Sequence, residues 1–120
     1  MKKEISISIV IPSLNEELGI KKTLASLPLR ELEQMGFDTE VLVVDGNSHD
    51  STQEIARASG PRLIVEERRG YGRAYKTGFS RSKGHIIVTL DADGTYPAEL
   101  IPHYLVELIS NNLDFITINR

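Results

Sequence analysis

The order of apolar and polar residues along the chain predicts five β-strands. Residues 5–11 alternate isoleucine with serine and then become wholly apolar, as a strand does when it enters a buried sheet. Four further runs are rich in β-branched residues and have the length of strands: 40–45, 62–65, 85–90 and 115–118. Because these runs are short and mostly apolar, we expect a sheet that is covered on both faces.

The stretches between these runs have the spacing of amphipathic helices. Apolar residues recur every three or four positions at 16–27, 51–59, 72–82 and 98–110. Gly60-Pro61 supplies a stop signal after the second stretch, and Pro97 suits the first turn of the fourth. Alternating strands and helices predict a three-layer α/β/α fold with a mostly parallel sheet and right-handed crossovers. We expect residues 1–120 to form one domain, because this length is close to the commonest domain size.

Composition narrows the classes of function. The chain is 40% hydrophobic and 26% charged, which is typical of a packed globular core. It has no apolar run long enough for a membrane span or a secretory signal. Without cysteine, a metal site must use oxygen or imidazole ligands. We therefore expect a cytoplasmic protein, with peripheral attachment to the cytoplasmic face of the membrane as an alternative.

The charge is distributed unevenly. The net charge is −3, yet the segment from Arg68 to Leu90 holds six basic side chains and no acidic one. This segment favours a local anion site, although most of its basic side chains could simply form the solvated face of a helix. Nucleic-acid binding is disfavoured because a pI of 5.6 lacks the basic footprint that phosphate backbones require.

An Asp-Ala-Asp triplet follows the fourth predicted strand. Ligands of open parallel sheets bind beyond the carboxyl ends of the strands, where this triplet would lie. Side chains at Asp91 and Asp93 point to the same side of an extended segment and could share one cation. Two carboxylates favour Mg²⁺ or Mn²⁺ and leave coordination positions for water and phosphate. A helix cap followed by a turn is the alternative interpretation.

Two other strand ends carry candidate ligand contacts. Asp45 ends the second predicted strand, where its carboxylate could accept hydrogen bonds from a nucleobase or ribose; a simple turn is the alternative. The segment 69–73 joins the third strand to the third helix. Its Gly72 would permit close backbone approach, and its Arg73 suits phosphate oxygens. This segment lacks the lysine and hydroxyl spacing of a P-loop.

Four motifs in this order resemble those of family 2 glycosyltransferases with the GT-A fold, particularly the dolichyl-phosphate mannose or glucose synthase branch. They are residues 11–17 (IPSLNEE), 43–52 (VVDGNSHDST), 70–74 (GYGRA) with Gly78, and 90–97 (LDADGTYP). The resemblance implies that Pro12, Leu14, Glu16 and Asp45 line a nucleoside pocket, with Gly72, Arg73 and Ala92 also at the nucleotide. It implies that Asp91 and Asp93 act in catalysis through the metal, and that Arg120 lies on the phosphate or acceptor side.

The chain departs from that family pattern at several places. Leu14 stands where many relatives have tyrosine, and Ile118-Asn119 replaces the Gly-Ser that commonly precedes the arginine at position 120. Family members also continue well beyond this point. We therefore expect a GT-A fold that is incomplete at its C-terminus, with an uncovered sheet edge through which the chain self-associates or which stays poorly ordered.

The resemblance implies transfer of a hexose from a GDP- or UDP-linked sugar, with inversion and with help from Mg²⁺ or Mn²⁺. The implied acceptor is a polyprenyl phosphate such as dolichyl phosphate. Two alternatives remain. One is a nucleotide-sugar-binding module without turnover, because the acceptor half is missing. The other is a flavodoxin-like receiver, which the lack of a lysine at the fifth predicted strand disfavours.

Overall fold

In a computed structural model of the chain, residues 5–117 are described, and strands and helices alternate along them. The strands are β1 (Ile5–Ser13), β2 (Phe37–Asp45), β3 (Arg62–Val65) and β4 (Ile86–Thr89). The helices are α1 (Ile20–Ala25), α2 (Leu29–Gln34), α3 (Thr52–Ala58), α4 (Tyr71–Arg81) and α5 (Ile101–Ser110), which a short 3₁₀ turn (Ala98–Leu100) precedes.

The described strands form one sheet in the order β3-β2-β1-β4, and every neighbouring pair is parallel. Ser13 lies opposite Asp45 at the carboxyl ends of β1 and β2. Val10 lies opposite Thr89 in the β1–β4 pair. The predicted α/β architecture with a parallel sheet is confirmed.

Alternate residues of β1 contribute to two different hydrophobic clusters, one on each face of the sheet. Ile7, Ile9 and Ile11 join the larger cluster with residues of α1, α2, α3 and α5. Val10 joins the smaller cluster with Ala74 of α4. A Cβ atom on Gly78 would lie 2.5 Å from Val10 Cγ1, so α4 packs on β1 at a distance that only glycine allows.

The structure differs from the prediction in two elements. Residues 115–117 are not in a strand, and Ile118 lies outside the described residues, so the predicted fifth strand is not found. Instead of pairing with each other, residues 113–117 and β4 line the same groove of about 730 Å³. Helix α2 was not predicted, because only Leu32 of its six residues is buried and one apolar position gives no periodic pattern.

Smaller differences concern boundaries. Strand β2 begins at Phe37, before the apolar run that marked it, because Ile5–Ser13 pairs with the polar residues 38–40 as well. Helix α1 covers only the middle of the predicted stretch, since Gly19 and Ile20 first form a turn on the Glu16 carbonyl. None of the helices within residues 5–117 has the length and apolar character that crossing a membrane requires.

Candidate functional site

The carboxyl ends of the parallel strands bring the predicted site residues to one edge of the sheet. Pro12 lies opposite Val44, one residue before Asp45. The Leu90 amide donates to the Val10 carbonyl at 3.3 Å, which places Asp91 directly beyond the paired part of β4. The structure thus brings Pro12, Asp45 and Asp91 to the same edge, with the end of β1 between the other two.

A cleft of about 630 Å³ opens where β1, β2 and β3 end. Its walls come from the last two residues of β1 and from the loops that follow the three strands, with one residue from α4. The lining residues are Pro12, Ser13, Leu14, Asn15, Gly46, Asn47, His49, Glu66, Glu67, Arg68, Arg69, Gly70 and Ala74. Pro12 and Leu14 therefore line one cleft, and the Leu14 side chain is exposed. The expectation that this cleft holds a nucleoside stays a prediction.

Asp45 lies behind this cleft and organises its floor. The residue is fully buried, and its carboxylate accepts four hydrogen bonds. The donors are Ser13 Oγ at 2.8 Å, Ser48 Oγ at 2.6 Å, Ser48 N at 2.7 Å and Gln53 Nε2 at 2.9 Å. Four bonds match the lone-pair capacity of a carboxylate. A nucleobase donor would have to replace one of them, so the direct contact expected for Asp45 stays a prediction.

The loops after β1 and β2 are tied together by reciprocal hydrogen bonds. The backbone amide of Asn15 donates to Ser48 Oγ at 2.8 Å, and the backbone amide of His49 donates to the side-chain Oδ1 of Asn15 at 3.0 Å. The Ser51 amide donates to Glu17 Oε2 at 3.0 Å. Asn15 itself has a φ of 52°, in the left-handed region that asparagine tolerates well. These bonds fix two walls of the cleft relative to each other.

The Asp-Ala-Asp loop forms a turn that rests on α1. The amide and hydroxyl of Thr95 donate to Asp93 Oδ1 at 3.0 and 2.6 Å, which is the turn geometry weighed as the alternative interpretation. The Gly94 amide donates to Thr23 Oγ1 at 2.9 Å. Asp93 is exposed and Asp91 half-buried, so both carboxylates also remain at the surface of this edge.

Glu16 lies within electrostatic reach of this loop. Burial, followed by the negative charges of Asp93, Asp91 and Asp50, raises the pKa of Glu16 above its usual range. Carboxylates that repel one another in this way form an environment that a bound cation would stabilise. Within residues 5–117 there is no ready-made group of three or more metal-ligating side chains. Asp91 and Asp93 therefore fit a cation that takes its other ligands from phosphate and water.

Three other predicted positions are not in the cleft wall. Gly72 and Arg73 lie in the first turn of α4, where the Arg73 amide donates to the Gly70 carbonyl at 3.1 Å and both residues are exposed. The helix begins at Tyr71, one residue earlier than the sequence pattern indicated, and neither residue is among those that line the cleft. Ala92 is buried, with only 2% of the residue exposed, so it offers almost no surface to a ligand in this structure. Arg120 lies outside the described residues.

Sequence reasoning missed Glu66 and Arg68, which both line the cleft. Arg68 was counted only as part of a basic segment. The signal that could have found Glu66 is a carboxylate directly after a predicted strand, two positions before an arginine that can reach it.

Comparison with known proteins connects this edge of the sheet to a family of enzymes. The model of glycosyl transferase family 2 matches residues 8–120. The dolichyl-phosphate hexose transferase of Haloferax volcanii is 36% identical over 114 residues, which are 95% of this chain and 47% of that protein. An uncharacterized glycosyltransferase of Mycobacterium bovis is 35% identical over 115 residues, covering 96% of this chain and 49% of that protein.

Solved structures of glycosyltransferases have the same fold as this chain. Glucosyl-3-phosphoglycerate synthase from Mycobacterium tuberculosis, in complex with Mn²⁺, UDP and glucosyl-3-phosphoglycerate, superposes with a TM-score of 0.72 and 31% identity. The match covers 88% of this chain and 39% of that one. The present chain thus spans about half the length of the curated relatives named above. It has the GT-A fold of these transferases and belongs to glycosyl transferase family 2.

Proposed function

We propose that this chain is the donor-binding part of a transferase that moves a hexose from a nucleoside-diphosphate sugar to a polyprenyl phosphate. The observation that carries the proposal is one sheet edge with two neighbouring features. A cleft of about 630 Å³ lies on one side of the end of β1, and the Asp91–Asp93 loop lies on the other. A GDP- or UDP-linked donor has two matching parts, a nucleoside and a charged diphosphate.

Each part of the donor would meet different residues. The nucleoside would pack against the apolar wall formed by Pro12 and Leu14, over the floor that Asp45 organises. The diphosphate would lie at Asp91 and Asp93, which would hold a Mg²⁺ or Mn²⁺ ion. When bound, this cation would neutralise the charge that develops on the leaving diphosphate as the glycosidic bond breaks. The mycobacterial synthase, which was solved with Mn²⁺ and UDP, supports this assignment by similarity.

A lipid phosphate acceptor would not require a general base at this edge of the sheet. A polyprenyl phosphate oxygen is already anionic at neutral pH, so attack at the anomeric carbon, with inversion, needs no strong base. The named relatives include a dolichyl-phosphate hexose transferase and, at 35% identity, the undecaprenyl-phosphate 4-deoxy-4-formamido-L-arabinose transferase of Aeromonas hydrophila. Such an acceptor would place the reaction at the cytoplasmic face of a membrane.

A nucleotide-sugar-binding module without turnover is the second candidate. It rests on the residues assigned above, which would hold the donor and not the acceptor. The two candidates make the same prediction for donor binding and differ only in transfer.

A thermal-shift panel tests donor binding directly. UDP, GDP and their sugars are added with Mn²⁺ or with excess chelator. We expect one nucleotide series to stabilise the chain in the presence of Mn²⁺, by about 2.7 kcal/mol when the ligand is at one hundred times its Kd. Transfer of label from that sugar to a polyprenyl phosphate then separates an enzyme from a binding module. If neither nucleotide changes the melting temperature of this chain or of a chain extended past Arg120, the proposal is wrong.

A further inference from the structure

Glu66 is a buried carboxylate at the edge of the cleft. It directly follows β3, and its side chain is only 7% exposed. Its amide donates to the Asp45 carbonyl at 2.7 Å, which ties this backbone to the end of β2. A buried carboxylate is costly unless charged or polar partners compensate it, so the partners of Glu66 indicate what it does.

Those partners come from the loop after β3 and from helix α4. Arg68 donates to both carboxylate oxygens, through Nε to Oε2 at 3.0 Å and through a terminal nitrogen to Oε1 at 2.7 Å. The Arg68 amide adds a third bond to Oε2 at 3.0 Å, and Thr77 Oγ1 of α4 donates to Oε1 at 2.5 Å. The Arg68 and Thr77 donors hold the pKa of Glu66 far below its usual range, so the carboxylate stays ionised.

This pairing fixes a side chain that would otherwise be mobile. Arg68 is 63% exposed and lines the cleft, and an exposed arginine normally samples many rotamers. Two parallel bonds to a buried carboxylate hold the guanidinium plane in one orientation before any ligand arrives. A ligand that contacts a fixed guanidinium does not have to order it, which lowers the cost of binding.

The sheet order indicates which part of a donor Arg68 would meet. Arg68 follows β3, whereas the Asp91–Asp93 loop follows β4, and β3 and β4 are the two outer strands of the described sheet. The diphosphate end of the donor is therefore far from Arg68. The nucleoside end lies in the same cleft, opposite the loop that carries Leu14 in place of an aromatic ring.

We propose that Glu66 is a positioning residue that holds the Arg68 guanidinium against the nucleobase of the donor. The planar guanidinium would stack on the base or donate to its carbonyl oxygens. This inference rests on the proposed function, because it names how the nucleoside end of that donor is recognised. The role of Glu66 is indirect, since all of its effect on the nucleotide passes through Arg68.

A double-mutant cycle on nucleotide affinity tests this assignment. Calorimetric Kd values for UDP and GDP are measured with saturating Mn²⁺ for the wild type, Glu66→Gln, Arg68→Met and the double variant. We expect Glu66→Gln to weaken binding about fivefold, which is the cost of ordering one long side chain. In the Arg68→Met background the same substitution should cause no further loss. Glu31→Gln removes a carboxylate from α2, outside the cleft, and serves as the matched control.

The outcomes separate the inference from the proposed function. If the wild type binds and Glu66→Gln binds equally well, the positioning role is wrong while the proposed function stands. Equal losses in the wild-type and Arg68→Met backgrounds would show a general structural effect and also overturn it. If the wild type binds neither nucleotide, the proposed function fails and the positioning role with it. Should Glu66→Gln not fold, Arg68→Lys is measured instead, because it keeps the positive charge but loses the planar guanidinium that makes two parallel bonds to Glu66. Wild-type affinity in that variant would contradict the proposal.

Discussion

A methyl group on Gly19 would lie 2.5 Å from the backbone carbonyl carbon of Asp93. No side chain larger than hydrogen therefore fits between the start of α1 and the Asp-Ala-Asp loop. The Thr23–Gly94 hydrogen bond, one turn further along the helix, holds the same loop. The position of the proposed metal ligands is thus set by a helix that carries none of them.

We expect Gly19→Ala to displace the loop, because the added carbon meets backbone rather than a flexible side chain. Such overpacking costs about 2 kcal/mol, which urea denaturation would measure. The Mn²⁺-dependent part of nucleotide stabilisation should fall as well. Gly72→Ala is the matched control for stability, since it lies in α4 with no atom within 4 Å of the added carbon and should stabilise the helix by up to about 1 kcal/mol. Equal stability of the two variants would contradict this account.

Asp93→Ala should remove most of the metal-dependent part of nucleotide binding. Without a cation, Asp91 and Asp93 repel the diphosphate, so tight binding requires Mn²⁺ or Mg²⁺. Asp93 Oδ1 also holds the turn through Thr95, and Asp93→Asn separates the two roles because it keeps the acceptor oxygen and loses the charge. Thermal shifts with and without chelator measure the effect. Equal binding of GDP or UDP in excess chelator, or an unchanged metal response in both variants, would overturn the assignment.

Asp45→Ala should weaken nucleotide binding whether or not metal is present. It removes a buried carboxylate that accepts four hydrogen bonds, so the loop that forms the cleft floor loses its anchor. We expect a loss of about 3 kcal/mol in the free energy of unfolding. Ser13→Ala deletes only one of the four donors and should cost about 1 kcal/mol. A metal-dependent loss in Asp45→Ala would place its effect at the diphosphate instead.

The stability of the chain should depend on the ionisation of Glu16. Its pKa is raised in the folded state, first by burial and then by the charges of Asp93, Asp91 and Asp50. A raised folded-state pKa means stability that is fully present below the unfolded value, 4.5, and is lost as the pH rises through the folded value. Glu16→Gln should therefore stabilise the chain at neutral pH and change little below about pH 4. Denaturation curves that differ equally at both pH values would contradict this.

We also propose that the open edge beside β4 takes part in self-association. Phe115 is 79% exposed next to the groove of about 730 Å³, and apolar surface of this kind favours contact with another molecule. Phe115→Ser should lower the average mass measured by light scattering at high protein concentration. Leu18, which is 97% exposed, lies outside this groove, so Leu18→Ser is the control for nonspecific association through exposed apolar side chains. A wild-type chain that is monomeric at every concentration would contradict the proposal.

The sequence was informative wherever periodicity and chain direction decide the outcome. Runs of isoleucine and valine located all four strands of the described sheet, and parallel pairing then placed Pro12, Asp45 and Asp91 at one edge. The fifth strand failed because an apolar run such as 115–118 shows strand propensity without showing a partner to pair with.

Side-chain pairing could not be predicted in the same way. Glycine and arginine in the segment 69–73 suggested a phosphate contact at Arg73, yet the arginines that line the cleft are Arg68 and Arg69, and Glu66 holds the Arg68 guanidinium by hydrogen bonds. Likewise, the position of Asp45 was evident from the sequence, but two of its four hydrogen bonds were not. Those two come from Ser13 and Gln53, which only the tertiary structure brings near.

Because β1 lies between β2 and β4, the sheet fixes the distance between the two parts of the proposed site. Neighbouring strands are about 4.8 Å apart, so β2 and β4, on either side of β1, lie about 10 Å apart across the sheet. In the proposed site this spacing is fixed by hydrogen bonds of the sheet and not by mobile loops. A free nucleoside would reach only the cleft, and free pyrophosphate only the Asp91–Asp93 loop. Only a molecule that joins both ends at the right separation would engage the two sides of β1 together, so the sheet itself would discriminate donors by length.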